Sequence, residues 1–426
     1  MMRSHRKTIY ETIGRESVHP FPARMAPGIA LEVVADEGKS LRVLDPMMGS
    51  GTVLAVARSK KHRAIGLDID PLAVLISKVW TTAINTEEVR DNAIEVLDRA
   101  RGIFSTLTTR GAYPRHADPE TRQFISFWFD GYARRQLTSL ATTISRVRDD
   151  AARNVLWCSL SRLIITKQSG ASLAMDLAHS RPHKAFDRAP AKPFRKFLGA
   201  VNRVLDNCID RKTADRGPAT FVHEGDARDL PLGDASVDLV LTSPPYLNAI
   251  DYMRCSKFSL VWMGHNINCL RRLRAESVGT EVGKGALQDE EIRGIMADLK
   301  LRPPLGTREH SVLARYTDDM RRALREVARV LTPGGKAVYV IGENTIRGTF
   351  VRNASIISKV ASMSGLKLCE KRSRALPSDR RYLPPPSAMR CSAPLAGRVR
   401  REVILSFAKP RNGCESRKVH SHLASA

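Results

Sequence analysis

A short apolar run that ends in an acid, turns on glycines and opens directly into a helix leaves a chain few folds to adopt. Residues 41–45 (Leu-Arg-Val-Leu-Asp) are such a run, and the turn Pro46-Met-Met-Gly49-Ser-Gly51-Thr52 follows it. A helical stretch continues from Val53 to Ser59, and Ala64 to Asp68 forms a second strand, again closed by an acid. Pro71 marks the start of another helix, with apolar residues at helical spacing as far as Trp80. Strand, helix, strand, helix in this order predicts a parallel sheet covered by helices.

The alternation resumes far downstream. Thr220 to His223 and Val237 to Thr242 read as strands, and residues 316–331 as a helix with Met320, Leu324, Val327 and Leu331 on one face. Pro333-Gly334-Gly335 breaks that helix, Lys336 to Ile341 is a core strand, and Leu366 to Lys371 and Glu402 to Phe407 close the sheet. Between the two halves, Phe124 to Ala133, Leu137 to Val147 and Ala151 to Ile165 carry helical apolar stripes. Lys and Arg outnumber Asp and Glu in this interruption. The pattern divides the chain into residues 10–85, a helical basic insertion over 86–216, and a second half over 217–408. That half carries its own basic insertion at 265–312, with Arg271, Arg272 and Arg274, and a polar tail expected to be disordered occupies 409–426.

Charge narrows the partners. Among 426 residues, 69 Lys and Arg face 44 Asp and Glu, a net charge of +25. Such a field attracts polyanions, because each neutralised phosphate releases counterions. Seven cysteines without a Cys-x-x-Cys pair argue against a disulfide framework and against a zinc site, so no metal is expected. Met1 to Tyr10 has no apolar signal-peptide core, and no run approaches the roughly 18 apolar residues of a membrane span. A soluble, cytoplasmic protein is expected.

Two segments carry chemistry. Gly49 and Gly51 let the backbone approach a ligand closely, at a helix N-terminus with free N–H groups. Asp45 closes the first strand, and Asp68 sits where an acid commonly holds ribose hydroxyls in doubly wound folds. A dinucleotide fingerprint would need a third glycine where Leu54 stands, and no Gly-Lys-Ser/Thr of a phosphate loop is present. Two acids beside the turn suit a cationic sulfonium better than a polyphosphate. The second segment, Thr242-Ser243-Pro244-Pro245-Tyr246, directly follows a core strand. Two prolines remove two backbone donors and stiffen the chain, leaving carbonyl oxygens to accept hydrogen bonds from an amine. Tyr246 offers a flat face for an extruded base, and Ser243 a second polar contact.

Asp45-Pro-Met-Met-Gly-Ser-Gly-Thr52 resembles the cofactor motif Asp-Pro-Phe-x-Gly-Ser-Gly-Thr of the amino-group DNA methyltransferases. Ser243-Pro-Pro-Tyr246 resembles their catalytic motif, (Asp/Asn/Ser)-Pro-Pro-(Tyr/Phe/Trp). His19-Pro-Phe-Pro-Ala-Arg24 is similar to their upstream segment, and Asn248, Asp251-Tyr252 and Trp262-Met263-Gly264 to a subgroup of DNA modification methylases. The resemblance implies an α/β fold, a Rossmann-like methyltransferase sheet that is mostly parallel with an antiparallel last strand, interrupted by a helical insertion. It implies S-adenosyl-L-methionine as cofactor, DNA as substrate and the exocyclic amine of a base as acceptor.

By the same resemblance Asp45, Gly49 and Gly51 line the methionine part of the cofactor, with Pro46 and Thr52 in the same turn among its contacts. Asp68 takes the ribose, Asp226 the adenine, and Phe21 packs beside it. Ser243, Pro244, Pro245 and Tyr246 hold the target base, and Ser in the first catalytic position is associated with cytosine N4 more than with adenine N6. Carbon-5 methylation is disfavoured, since no Pro-Cys pair occurs in the chain. An RNA-modifying relative, with RNA a lesser partner than DNA, and a non-catalytic nucleic-acid-binding protein are the alternatives. A restriction endonuclease fits as a partner, and residues 86–216 as the target-recognition region, with Arg134, Arg135, Arg146 and Arg148 as candidate phosphate contacts. Trp128 and Phe129 are expected in the core rather than against a base.

Overall fold

The computed structural model describes residues 7–22, 24–35, 38–167, 169–175, 177, 182–212, 217–247, 252–280, 289–376 and 401–411. Asn248, Asp251 and all but the start of the tail lie outside the described residues. Helices α1 (Ile9–Ile13) and α2 (Pro27–Val33) precede the first strand, β1 (Arg42–Asp45). Then follow α3 (Thr52–Ser59), β2 (Arg63–Asp68) and α4 (Pro71–Thr81). The long interruption opens on β3 (Ala83–Ile84) and continues through α5 (Thr86–Thr106), α6 (Pro119–Trp128) and α7 (Gly131–Ile144). It ends with α8 (Asp150–Ile164), α9 (Pro193–Leu205) and β4 (Ile209–Asp210), which pairs parallel with β3 and so ties its two ends together.

The sheet resumes with β5 (Thr220–Glu224) and β6 (Val237–Thr242). Helices α10 (Met253–Leu260), α11 (Ile267–Glu276) and α12 (Glu290–Asp298) come next. The long helix α13 (Thr307–Val330) leads into β7 (Leu331–Gly342). A small hairpin, β8 (Asn344–Ile346) with β9 (Thr349–Val351), precedes α14 (Asn353–Met363), β10 (Lys367–Ala375) and β11 (Arg401–Ala408).

The main sheet has seven strands in the order β10-β11-β7-β6-β1-β2-β5. β1 pairs parallel with β2 and β6, β2 with β5 and β6 with β7, whereas β11 runs antiparallel to both β7 and β10. This is the mostly parallel sheet with an antiparallel last strand that the family resemblance implies. Alternate residues feed opposite cores: Val43 and Leu239 face one cluster with α3, α4 and the interrupting helices, Leu44 and Val240 the other with α13 and α14. Both faces are therefore buried, which is why these strands read as continuous apolar runs. From β1 the order steps through β2 to β5 on one side, and from β6 through β7 on the other. The point where it reverses opens a crevice at the strands' carboxyl ends, the usual ligand position in such sheets.

Two local expectations shift. The helix expected over 124–133 is instead two helices, because Asp118 caps α6 ahead of Pro119 and the Asp130 carboxylate accepts from the Tyr132 and Ala133 N–H groups to start α7. Arg134 and Arg135 are not laid out for phosphates. The Arg134 guanidinium lies 4.8 Å from the Tyr113 ring and bonds its hydroxyl, while Arg135 lies 4.1 Å from the Phe104 ring and donates to the Phe104 carbonyl at 2.7 Å. Aromatic faces and carbonyls hold both cations inside the helical packing. Arg146 and Arg148 stay at the surface. Phe129 and Trp128 pack against Trp262 and Phe258, in the core as expected. No helix among the described residues is long and apolar enough to cross a membrane.

Candidate active site

The glycine turn wraps around Asp68. Its carboxylate accepts from the Gly49 N–H at 2.8 Å and from the Asp70 N–H at 2.9 Å, so the end of β2 shapes the turn after β1. Ser77 on α4 donates to the Gly49 carbonyl at 3.0 Å. Gly49 and Gly51 hold φ of 51° and 82°, in the left-handed region. A Cβ at Gly51 would also lie 2.7 Å from Ser77 Oγ and 3.2 Å from its Cα. Gly51→Ala is accordingly expected to cost about 1–3 kcal/mol, read as a lowered urea midpoint; an unchanged midpoint would contradict this packing.

Asp45 ends β1 with 2% of its surface exposed. Thr242 Oγ1, at the end of β6, donates to its carboxylate at 2.7 Å, and the Met47 N–H does so at 3.2 Å. Burial outweighs these bonds and pushes the Asp45 carboxyl up to about 7. A carboxylate so desolvated gains from a cation placed beside it. The bond to Thr242 also joins the two predicted segments, since Ser243 is the next residue.

Ser243 Oγ donates to the Val340 carbonyl of β7 at 3.1 Å and approaches the Tyr246 hydroxyl at 3.5 Å. With its proton directed there, the serine oxygen is left as an acceptor. Tyr246 lays its ring against the backbone of Gly342, where a Cβ would come within 2.6 Å of Cδ2. Its hydroxyl donates to Glu402 Oε1 at 2.8 Å.

One cleft of about 410 Å³, part of it open to solvent, brings these groups together. Asp45 and Gly49 of the first segment line it, as do Ser243, Pro244 and Tyr246 of the second. Met25, Met47 and Met48 supply apolar walls, and Arg24 and Tyr252 complete it. The remaining predicted residues stand off the wall. Gly51 and Thr52 begin α3 behind the turn, Pro46 is buried and Pro245 follows on the loop. Asp68 holds the turn from beneath, and Phe21 is buried against Tyr252, their ring centres 6.3 Å apart. Asp226 is in a two-oxygen ion pair with Arg228, which also binds Asp319. A base amino group reaching Asp226 would share that carboxylate with Arg228.

Sequence reasoning missed Thr242 as the partner of Asp45, and it missed Glu402 and Asp70. Asp70 caps α4 and accepts from Ser256 of α10, and burial together with Asp68 pushes it up to about 7. The Asp-Pro pair at 70–71 is a capping signal visible in the sequence. Glu402 carries no local signal.

No family profile matches the chain. Among curated proteins it is similar to the Type II methyltransferase M.MvaI of Kocuria varians, 23% identical over 369 residues covering 80% of each chain. It is 24% identical over 302 residues to the Type II methyltransferase M.BsoBI of Geobacillus stearothermophilus, covering 64% of this chain and 58% of that one. The chain thus spans most of the first relative and little more than half of the second. Solved structures include a SAM-dependent methyltransferase from Methanosarcina mazei (TM-score 0.30, 8% identity, 87% of this chain and 93% of that one). Another is a TehB-like SAM-dependent methyltransferase from Corynebacterium glutamicum (TM-score 0.29, 9% identity, 92% and 89%). At those scores the fold rests on the strand order itself. Both motifs thus sit at the switch point of this sheet, in a chain whose similarity runs over four fifths of a Type II methyltransferase.

Proposed function

We propose that this protein transfers a methyl group from S-adenosyl-L-methionine to the exocyclic amino group of a base in DNA, cytosine N4 in preference to adenine N6. The observation that carries the reading is the single cleft lined by Asp45 and Gly49 on one side and by Ser243, Pro244 and Tyr246 on the other. The buried Asp45 carboxylate on its wall suits a ligand carrying positive charge. Bound there, the cofactor supplies an electrophilic methyl on a positively charged sulfur.

The chain's own residues supply alignment. Asp45 holds the ammonium end of the cofactor, with Pro46, Gly49, Gly51 and Thr52 forming the turn around it, while Asp68 takes the ribose and Asp226 and Phe21 the adenine. An exocyclic amine is a weak nucleophile because its lone pair is delocalised into the ring. The Ser243 oxygen and the Pro244 carbonyl accept from its N–H groups, which favours a pyramidal nitrogen with its lone pair aimed at the methyl. Pro245 stiffens the segment and Tyr246 stacks the base. With the cofactor bound, its sulfonium would supply the methyl carbon and keep the bonding electron pair on sulfur, and the proton of the aligned nitrogen would leave to solvent. Alignment of this kind accounts for most of the help such a reaction needs.

The charge of +25 supports a polyanionic substrate. In this reading residues 86–216 take part in target recognition, and a restriction endonuclease is a fitting partner. The test is expression in a host free of DNA methylation, followed by mass spectrometry of the genomic nucleosides. N4-methylcytosine is expected with the wild type. N6-methyladenine instead would keep the chemistry and overturn the base, and unmodified DNA would overturn the function.

A further inference from the structure

We propose that Glu402 is a positioning residue of the methyl-transfer site, fixing through its bond to the Tyr246 hydroxyl the ring on which the target base stacks. The inference rests on the functional reading of Tyr246 given above. Glu402 opens β11 with 6% of its surface exposed, and a carboxylate so removed from water requires partners. The two it has divide its oxygens. Arg374 of β10 donates to Oε2 from Nε at 2.8 Å and from Nη2 at 2.5 Å, while the Tyr246 hydroxyl donates to Oε1 at 2.8 Å. A fork-to-fork ion pair would engage both oxygens with the guanidinium; here one is neutralised and the other is turned toward the catalytic segment.

Strand register makes the placement a property of the sheet. Arg374 stands opposite Glu402, and Glu402 opposite Gly342, so the three lie in one row across β10, β11 and β7. Gly342 is the floor of the ring, where a Cβ would come within 2.6 and 2.7 Å of Tyr246 Cδ2 and Cε2. The floor is braced in turn. Asn353 donates to the Gly342 carbonyl at 2.8 Å and to Asn344 Oδ1 at 3.0 Å, and Asn344 donates to the carbonyl of Leu247, which follows Tyr246. The ring therefore has a flat support below it and a hydrogen-bond anchor at its tip. A base resting on it takes its angle toward Ser243 and Pro244 from that anchor.

The test compares Tyr246→Phe, Glu402→Ala, Glu402→Gln and the Tyr246→Phe/Glu402→Ala pair. The assay is transfer of tritiated methyl to unmethylated genomic DNA, with kcat expressed per cofactor-binding site so that unfolded protein does not count. Tyr246→Phe keeps the ring and the Arg374–Glu402 pair, so it reads the anchor without endangering the fold. Misplacement of reacting groups by about 1 Å can cost 10²-fold, and loss of an anchor on a supported ring is expected to cost about tenfold in kcat. The KM for DNA and the cofactor Kd should stay within about threefold of wild type. The double variant should fall no further than Tyr246→Phe alone, and Glu402→Gln, which retains a hydrogen-bonding partner for the phenol, should recover most of the rate. Full kcat in Tyr246→Phe, multiplied losses in the double variant, or equal losses in the Ala and Gln variants would each overturn the role of Glu402 alone. A wild type that methylates no DNA would overturn the functional reading and this role with it.

Discussion

Replacing Tyr246 by alanine is expected to lower kcat/KM for methyl transfer to DNA by roughly 5- to 150-fold, because base–aromatic stacking is worth about 1–3 kcal/mol per base. Cofactor binding should be almost untouched. Tyr246 reaches Gly342 and Glu402 on the far side of the cleft, and the turn at 45–51 is held by Asp68, Thr242 and Ser77 without it. Methyl incorporation gives the first quantity and calorimetric titration of S-adenosylmethionine the second. An enzyme that loses cofactor affinity and rate together would mean that Tyr246 shapes the whole site rather than seating the base.

The complementary expectation concerns Asp45. In the proposed site Asp45→Asn would remove the charge assigned to the cofactor's ammonium, and a hydrogen bond to a charged group contributes about 1.5–3 kcal/mol. The cofactor Kd at pH 8 should therefore rise roughly ten- to a hundredfold. A pH signature accompanies the loss. With the Asp45 carboxyl up at about 7 in the free protein, binding a cation favours the ionised form, so acidification below that value must work against binding. Wild-type affinity should fall as pH drops from 8 to 6, approaching about tenfold per unit once the carboxyl is protonated. The asparagine variant should lack this slope.

Stability runs the other way. A carboxyl whose folded pKa is raised withdraws stability as pH climbs from its unfolded value near 4 toward 7. The cofactor-free Asp45→Asn protein should therefore be no less stable than wild type at pH 8, by thermal melting. A variant that binds the cofactor normally, or one with the wild-type pH slope, would remove Asp45 from the site.

What was legible in the sequence was what is local in the chain. The turn at 45–52 and the segment at 243–246 are contiguous, so glycine conformation, proline stiffness and side-chain chemistry could be read residue by residue. The alternation of apolar runs likewise predicted the sheet, because strands buried on both faces cannot tolerate polar interruptions. The hidden parts are tertiary. Glu402 reaches Tyr246 across 156 positions of chain and opens a strand flanked by arginines, where an acid reads as a surface residue. Arg134 and Arg135 look like surface cations on a helix, and only the approach of Tyr113 and Phe104 turns them inward. The start of α6 was encoded by Asp118 and Pro119, yet the apolar stripe further along masked it.

A crystal structure of the protein with S-adenosylhomocysteine would bear most directly on whether the cofactor turn and the Ser243–Tyr246 segment form one reaction site. The ammonium group should lie within hydrogen-bond distance of the Asp45 carboxylate, with the sulfur facing the Ser243 oxygen and the Pro244 carbonyl across the cleft. A ligand seated elsewhere, or one whose sulfur points away from that segment, would contradict the account.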